Sequence, residues 1–451
     1  DIHGDLITDH RSHKIRLMPF FSNLLPEGDL RKYLAEKADI HPDREFFLIW
    51  ALGHDLPGAV TLEPANGEAW PPVNDLDPIA QAKAHQDILR FSLAGVQLKF
   101  SAISDAAGGL TIPARGTGGD WIVKLPSREY GGVPENEFSM MTLARMVGIN
   151  VPVIDLVDVS SIGNLPAGIG KLGDQAFIIQ RFDRADNNVR IHIEDFAQIY
   201  GVFAEDKYKK ASAVNIARVV ATETGGQDTE EFIRRLTFNT LIGNGDMHLK
   251  NWSLIYPDGR NARLSPAYDF VSTIPYIPGD QAALNFSRTR DFKDFTWDEL
   301  EHLSAKAALP TALVLATARE TVGLFLEKWE AEKRNLPMRK DVIEAIDKHL
   351  HRLQDRRRSI GVSAVCAGHE ADKGLDLRVK LIAAMSSLGD AKCVVLCIRI
   401  VCSPFKVDHG AADPMRDQII ESDTHISGWL FPSKGKRHEG FAFCRYASIA
   451  G

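Results

Sequence analysis

The chain has no cysteine in its first 360 residues, and all five cysteines, from Cys366 to Cys444, lie in the remainder. A disulfide-held scaffold is therefore excluded for most of the chain. No apolar run reaches the roughly 18 residues that a membrane-spanning helix needs, and neither a signal peptide nor an internal repeat is visible. The formal net charge of −7 argues against broad affinity for nucleic acid. The small basic cluster of Lys207, Lys209 and Lys210 has the pattern of a solvated face.

The segment from Gly243 to Asn251 carries oxygen-bearing side chains at a short spacing. Asp246 precedes Asn251 by five residues, and Asp269 follows in an Ala-Tyr-Asp-Phe sequence. Protein kinases use one Asp to accept the proton of the attacking hydroxyl, an Asn five residues later to bind Mg²⁺, and a further Asp to join the metal to the phosphates. Apolar residues recur at helical spacing over 231–242, so we expect Asp246 on a turn after a buried helix. Taken alone, these short motifs are more often an ordinary turn and a strand end.

A lysine on an apolar strand is the second feature. The segment Trp121–Pro126 has the pattern of a short buried strand, and it carries Lys124. A buried lysine needs an anionic partner, which ATP phosphates would supply. The amphipathic segment 135–146 predicts a helix that ends at Gly148, from which Glu137 could pair with Lys124. The alternative is an exposed glutamate in the first turn, favoured by the helix dipole.

The segment 91–100 is a weaker candidate for phosphate binding. Gly95 is flanked by small residues and followed by Gln97 and Lys99, so backbone amides could approach a phosphate there. The segment matches neither a Walker loop nor a G-x-G-x-x-G loop.

Six motifs, in this order along the chain, resemble those of the HipA-type serine/threonine kinases, which are the toxins of toxin–antitoxin pairs. They are Ser92–Lys99, Ile122–Pro126, Asn136–Phe138, Ile178–Arg184, Gly245–Asn251 and Ala267–Phe270. The stretches 19–28 and 57–60 are also similar to the amino-terminal region of that family. The resemblance spans roughly residues 15 to 360, and six ordered motifs are far more specific than any single one.

The resemblance implies a role for each matched residue. It makes Asp246 the catalytic base, makes Asn251 and Asp269 the Mg²⁺ ligands, and places Lys124 on the phosphates of ATP. Further nucleotide contacts are implied for a phosphate loop of Ala94, Gly95, Val96, Gln97, Leu98 and Lys99, an adenine-binding hinge of Gln180, Arg181 and Phe182, a ribose contact at Asp183, and His248, Lys250 and Tyr268.

Ser92 is implied to be a regulatory phosphorylation site. In the family the serine at this position is autophosphorylated in trans, which ejects the phosphate loop and silences the kinase. Electrostatics agrees, because a phosphate adds about −1.5 to −2 charges beside a loop that cradles phosphates. Without the resemblance, a strand-end serine bonded to its own backbone is the simpler interpretation.

The implied activity is that of an ATP- and Mg²⁺-dependent protein serine/threonine kinase. The resemblance suggests an aminoacyl-tRNA synthetase as substrate, growth arrest as outcome, and a small DNA-binding antitoxin of the HipB type as partner, with DNA contacted only through the antitoxin. We expect a cytoplasmic protein without membrane contact. The alternative is an inactive kinase-fold binding module that acts as a corepressor in an antitoxin–DNA complex. The intact set of Lys124, Asp246, Asn251 and Asp269 favours the enzyme.

We predict an α+β, bilobal, protein-kinase-like fold, because 44% hydrophobic residues in 451 can form two or more cores. Residues 1–75 form a truncated HipA-like amino-terminal segment. Residues 76–185 form a small mixed α/β lobe with the phosphate loop and hinge, and residues 186–361 form a mainly helical lobe with the catalytic loop. Helices are expected over 212–224, 231–242, 311–333 and 339–353.

Two departures from the family pattern stand at the ends of the chain. The chain begins at Asp1 and lacks most of the small β-rich segment that precedes residue 19 in the family, so we expect that segment to be missing here, to be a separate polypeptide, or to be lost. Residues 362–451 are expected to form an atypical, poorly ordered tail, appended or out of frame. A metal site in that tail is the less favoured interpretation, because its cysteines and histidines lack a C-x-x-C pair. That site would draw on Cys393, Cys397, Cys402, His409, His425, His438 and Cys444.

Overall fold

The computed structural model divides the chain into two compact units, 1–357 and 358–451. In the first unit it describes residues 16–28, 31–32, 35, 40–63, 99–104, 110–111, 119–127, 129–165, 173–186 and 189–357; in the second it describes the end of one helix, 358–359, and the strands 379–388, 391–400, 428–432 and 441–445.

The small lobe is built on a five-stranded antiparallel sheet. Its strands are β1 (Lys99–Ser104), β2 (Leu110–Thr111), β3 (Trp121–Lys124), β4 (Ile154–Asp158) and β5 (Gln175–Gln180), in the order β2-β1-β3-β5-β4. Both faces of this sheet are buried. Ile122 and Phe177 belong to the large core of the unit, whereas Val123 and Ile178 belong to a second, smaller core. Because side chains alternate along a strand, Lys124 lies on the same face as Ile122.

Each face of the sheet is covered by a different part of the chain. Helix α3 (Val133–Met146) packs against β4 and β5 on the side of the large core. The other face meets the amino-terminal segment, which contains α1 (Pro19–Ser22) and α2 (Glu45–Leu52). The amino-terminal segment contributes apolar side chains to the smaller core; Leu24, Leu25, Leu48, Leu52 and Leu56 are buried there.

The second lobe is mainly helical and contains a small antiparallel sheet. Its helices are α4 (Phe196–Ile199), α5 (Ala213–Glu223), α6 (Thr229–Leu241), α7 (Trp297–Ala307), α8 (Thr311–Glu332) and α9 (Lys340–Ser359), and its strands are β6 (His192–Asp195), β7 (Ser253–Tyr256) and β8 (Arg263–Leu264). The four predicted helices are confirmed in α5, α6, α8 and α9. Helix α6 lies at the centre, where Phe238 stacks on Phe270 and meets the ring edge of Phe325.

Helix α7 and the small sheet are absent from the prediction. Helix α7 begins at a Thr296 cap, whose hydroxyl accepts a hydrogen bond from the backbone of Glu299. A threonine followed three residues later by a glutamate is a signal for a helix start. Strands β7 and β8 are four and two residues long, too short for a periodic pattern.

The second unit contains two antiparallel strand pairs, Val379–Leu388 with Ala391–Ile400 and Gly428–Pro432 with Phe441–Arg445. We expected a poorly ordered tail over 362–451, whereas these strands are regular structure. The run Ala391–Ile400 contains four β-branched residues, which favour extended backbone. Four residues of the less favoured metal site lie outside the described residues: Cys402, His409, His425 and His438.

No helix in the described ranges is long and apolar enough to cross a membrane.

The division into two units predicts that residues 360–451 are dispensable for folding of the first unit. A chain ending at Ser359 keeps both hydrophobic cores of that unit, so its melting temperature should stay within about 2 °C of the full chain. Differential scanning calorimetry measures this. A loss of several degrees would show that the tail stabilises the first unit.

Candidate active site

The predicted catalytic loop is a tight turn that follows helix α6. Gly243 has a left-handed backbone (φ 65°), and a Cβ there would lie 2.6 Å from the side chain of Ile274, so only glycine fits. Asn244 is buried, and its side-chain oxygen accepts a hydrogen bond from the backbone N–H of Asp246 at 2.9 Å. Its amide nitrogen donates to the side-chain oxygen of Asn239 on α6 at 2.8 Å. The prediction that Asp246 lies on a turn after a buried helix is therefore confirmed.

Asp246 and Asn251 contact one another across the loop. The side-chain nitrogen of Asn251 donates to the backbone oxygen of Asp246 at 2.8 Å. This bond leaves the amide oxygen of Asn251 available for another ligand. The carboxylate of Asp246 is half-exposed, and its Oδ1 accepts a hydrogen bond from the hydroxyl of Tyr208. The loop thus presents a carboxylate toward solvent and holds the amide of Asn251 behind it.

Lys124 is buried between two carboxylates. Its Nζ forms ion pairs with Glu137 on α3 and with Asp269. The predicted pairing of Lys124 with Glu137 is confirmed. Burial alone would lower the pKa of Lys124, but Asp269 and Glu137 outweigh it and hold the pKa above its ordinary value. The lysine is therefore charged, and it joins the small lobe to the helical lobe.

Asp269 adopts a backbone conformation that few side chains tolerate. Its φ is 57°, in the left-handed region that Asp and Asn enter more readily than other non-glycine residues. The next residue, Phe270, is fully buried against Phe238, which anchors this segment on α6. The amide nitrogen of Asn244 lies 3.4 Å from the backbone oxygen of Asp269. Asn244 therefore contacts both the segment of Asp246 and that of Asp269.

A reciprocal pair of hydrogen bonds ties helix α3 to the same region. The side chain of Asn136 donates to the backbone oxygen of Ser272 at 2.9 Å and accepts from its backbone N–H at 3.1 Å. The hydroxyl of Ser272 donates to the backbone oxygen of Ile242 at 2.6 Å. Because Asn136 precedes Glu137, these bonds place Glu137 beside Lys124.

His248 is buried beside the carboxylate of Asp246. Its Nε2 lies 3.8 Å from Oδ1 of Asp246, and its ring meets the ring of Tyr208 edge-on at 4.9 Å. Burial is the main cause that lowers the pKa of His248 to about 3, with Lys207 and Lys250 adding to it. The ring is therefore neutral near pH 7. Its Nδ1 is buried and has no hydrogen-bond partner in the described part of the chain, as expected of a group that meets a ligand.

Lys250, which the resemblance places among the nucleotide contacts, lies against the amino-terminal segment. Its Nζ donates to the backbone oxygen of Asn23 at 2.8 Å and pairs with Glu27 at 3.0 Å, and its side chain is buried. Lys250 therefore binds the amino-terminal segment in this structure, and its implied contact with a nucleotide stays a prediction. The prediction that Lys207 belongs to a solvated face is wrong, because Lys207 is buried and pairs with the same Glu27 at 2.8 Å.

Arg181 and Asp183, two of the implied nucleotide contacts, belong to a buried ionic cluster. The carboxylate of Asp183 accepts hydrogen bonds from Arg181, from Arg184 and from the backbone of Gly58. Arg181 and Arg184 also pair with Asp55, each at 3.1 Å. Burial would raise the pKa of Asp183, but Arg181 and Arg184 lower it below its usual range. The geometry gives Asp183 a structural role, and its implied ribose contact stays a prediction.

Phe182 of the predicted hinge forms an aromatic surface together with Tyr268. The ring of Phe182 lies 5.7 Å from that of Tyr268, at 33°. The hydroxyl of Tyr268 donates to the backbone oxygen of Lys250 at 3.0 Å and contacts Ser253, so the residue offers its ring and not its hydroxyl. Gln180 ends β5 with an exposed side chain. The adenine hinge stays a prediction.

The phosphate loop falls outside the described residues. Ser92 and the loop residues Ala94, Gly95, Val96, Gln97 and Leu98 lie within 64–98, which is not among the described residues. Lys99 begins β1, where its backbone pairs opposite Lys124.

Several contributors to the site were not predicted from the sequence. Tyr208 lies in a charged turn with no motif to mark it. Asn136 had a usable signal, since a polar residue on the buried face of an amphipathic helix usually has a specific hydrogen-bond partner. No sequence signal marked the pair of Glu27 and Lys207, because the two residues lie 180 residues apart in the chain.

Comparison with known proteins adds a family and a fold. A sequence model of the HipA-like C-terminal domain matches residues 91–329, and one of the HipA N-terminal domain matches residues 6–63. The protein named "Putative kinase Y4dM" of Sinorhizobium fredii is 59% identical over 352 residues, which cover 77% of this chain and 85% of that protein. The serine/threonine-protein kinase toxin HipA of Shewanella oneidensis is 29% identical over 298 residues, which cover 58% of this chain and 64% of that protein.

The fold is also similar to that of a solved structure. The structure of the Shewanella oneidensis HipA, HipB and operator DNA complex matches with a TM-score of 0.59 at 24% identity, covering 76% of this chain and 85% of that one. At this identity the likeness concerns the fold alone. The predicted bilobal, kinase-like α+β fold is confirmed.

The buried lysine generates a stability prediction. Replacing Glu137 by Gln keeps the side-chain shape but removes one of the two charges that compensate Lys124, so the free energy of unfolding should fall by about 1.5–3 kcal/mol. The matched control is Glu135→Gln, a partly exposed residue on the same helix, expected to change stability by less than about 0.5 kcal/mol. Urea denaturation measures both. Equal stability of the two variants would contradict the role given to Glu137.

Proposed function

The chain belongs to the HipA-like family of kinases, and from this we propose that it transfers the γ-phosphoryl group of Mg·ATP to a serine or threonine of a protein. One observation carries the proposal. Lys124 is held between Glu137 and Asp269, and the loop that contacts the Asp269 segment through Asn244 presents Asp246 and Asn251 together. These are the residue types that phosphoryl transfer requires.

The donor set suits Mg²⁺, a hard cation that prefers oxygen ligands. Asn251 offers its amide oxygen, since its nitrogen donates to Asp246, and Asp269 offers a carboxylate. Held by Asn251 and Asp269, Mg²⁺ would supply positive charge that offsets the charge of the ATP phosphates. Lys124, charged and buried, would add a cation on the phosphates. His248 stays neutral and adds no second positive charge.

In this proposal Asp246 acts as the general base. Its half-exposed carboxylate can accept the proton of an incoming hydroxyl, while the hydroxyl of Tyr208 holds Oδ1. The oxygen of the substrate would then attack the γ-phosphorus, the bond to the β-phosphate oxygen would break, and the proton would rest on Asp246. The products are ADP and a phosphoserine or phosphothreonine protein.

The proposal extends to partners and regulation. The solved relative assembles with HipB and operator DNA, and we infer an antitoxin of the HipB type for this chain, with DNA contacted through that antitoxin. The net charge of −7 supports indirect rather than direct DNA binding. An aminoacyl-tRNA synthetase is the proposed substrate, with growth arrest as the outcome. Autophosphorylation of Ser92 would turn the enzyme off, because the added charge repels the phosphates of ATP.

Catalysis is tested with the variant Asp246→Asn. Asn cannot accept the proton, so transfer of labelled phosphate from γ-labelled ATP should fall by about 10²–10⁴-fold, with Mg·ATP binding retained. The control is Asp258→Asn in the exposed turn after β7. Mass spectrometry of the same samples should find phosphate on Ser92 in the wild type and not in Asp246→Asn. Absence of label from the wild type, alone and with cell extract, would contradict the kinase and favour an inactive binding module.

Metal binding is tested with Asn251→Ala. The substitution removes one oxygen ligand, so calorimetry should show the affinity for Mg·ATP reduced by about tenfold or more. The affinity for ATP in excess EDTA should match that of the wild type, because no metal is then bound. An equal loss with and without Mg²⁺ would show that Asn251 only shapes the loop.

A further inference from the structure

A buried carboxylate of the amino-terminal segment lies between two lysines of the helical lobe. Oε2 of Glu27 is 2.8 Å from Nζ of Lys207, and its Oε1 is 3.0 Å from Nζ of Lys250. The three side chains are 16%, 9% and 8% exposed, respectively, so water screens them little. Asn23 adds its backbone oxygen to Lys250 at 2.8 Å.

Each of these lysines adjoins a residue that holds the catalytic carboxylate. Lys207 precedes Tyr208, whose hydroxyl donates to Oδ1 of Asp246. Lys250 precedes Asn251, whose side chain donates to the backbone oxygen of Asp246 at 2.8 Å. The two segments also meet directly, since the backbone N–H of Leu249 donates to the backbone oxygen of Lys207 at 3.3 Å.

The charges explain why Glu27 is needed at this point. The ammonium groups of Lys207 and Lys250 would repel each other if the carboxylate of Glu27 did not pair with both. Burial would raise the pKa of Glu27, but Lys250 and Lys207 outweigh it and lower the pKa to about 2. Asp195 lies 3.8 Å from Lys250, farther than Glu27, and burial raises its pKa to about 6. Glu27 is therefore the main counter-charge of the pair.

We propose that Glu27 is a positioning residue for phosphoryl transfer, which sets the orientation of Asp246 by holding the segments of Tyr208 and Asn251 through Lys207 and Lys250. It lies in the part matched by the HipA N-terminal domain model, outside the match to the C-terminal domain. The amino-terminal segment therefore completes the catalytic loop from 220 residues away in sequence. This inference rests on the proposed kinase function.

The test compares the full-length wild type with Glu27→Gln. A misplaced general base slows the chemical step without weakening nucleotide binding, so kcat should fall by about tenfold to a hundredfold while KM for ATP changes by less than about threefold. Glu27→Asp, which keeps the charge, should recover part of kcat. The control is Glu320→Gln, which removes the exposed ion pair with Arg234 and should leave kcat unchanged. Wild-type kcat in a folded Glu27→Gln protein would overturn the proposal.

Two further measurements keep the test decisive. If Glu27→Gln does not fold, the double variant Glu27→Gln/Lys207→Met, which removes one unpaired ammonium group, takes its place with the same expected loss of kcat, and an undiminished kcat overturns the proposal. Hydrogen exchange at residues 246–251 should be faster in the variant at equal melting temperature. Should the wild type transfer no phosphate, the kinase proposal fails by itself. Hydrogen exchange then still decides whether Glu27 orders the loop, and equal exchange rates in the wild type and the variant would contradict that role.

Discussion

The organisation of the first unit depends on the need to neutralise one buried ammonium group. Lys124 lies at the end of β3 with apolar neighbours on both faces of its sheet, where an uncompensated charge would be strongly unfavourable. Its two counter-charges come from different places, Glu137 from helix α3 and Asp269 from the helical lobe. The pairing therefore joins strand, helix and second lobe at a single atom. The left-handed backbone of Asp269 and the bonds between Asn136 and Ser272 follow from the requirement that both carboxylates reach it.

Buried ion pairs attach the amino-terminal segment to the rest of the first unit. Its Asp55 binds Arg181 and Arg184, which follow β5, and its Glu27 binds Lys207 and Lys250. Buried ion pairs add little net stability compared with apolar contacts, but they tolerate few alternative arrangements. We suggest that their value here is geometric. They fix where the segment sits relative to β5 on one side and to Lys250 on the other.

What could be predicted from the sequence was the part encoded by near neighbours. The five-residue spacing of Asp246 and Asn251, the turn after α6, and the Lys124–Glu137 pair 13 residues apart are local or nearly local relations. The contacts that Asp183, Lys207 and Lys250 make in the structure were not predicted, for a common reason. Their partners lie 125, 180 and 227 residues away, at Gly58, Glu27 and Asn23, and no periodicity or motif records such contacts. Tyr208 was missed because one aromatic residue in a charged turn carries no pattern.

The sheet of the small lobe has apolar residues on both faces, so a shortened chain must keep both faces covered. Val123, Ala176 and Ile178 share a buried apolar cluster with leucines of the amino-terminal segment. A kinase body synthesised without that segment would expose a contiguous apolar face to solvent, and such faces drive association with other chains. Solubility of the catalytic part thus depends on a cover that contributes little to its sequence motifs. Any shortened or split version of this protein would need another polypeptide to occupy the same face.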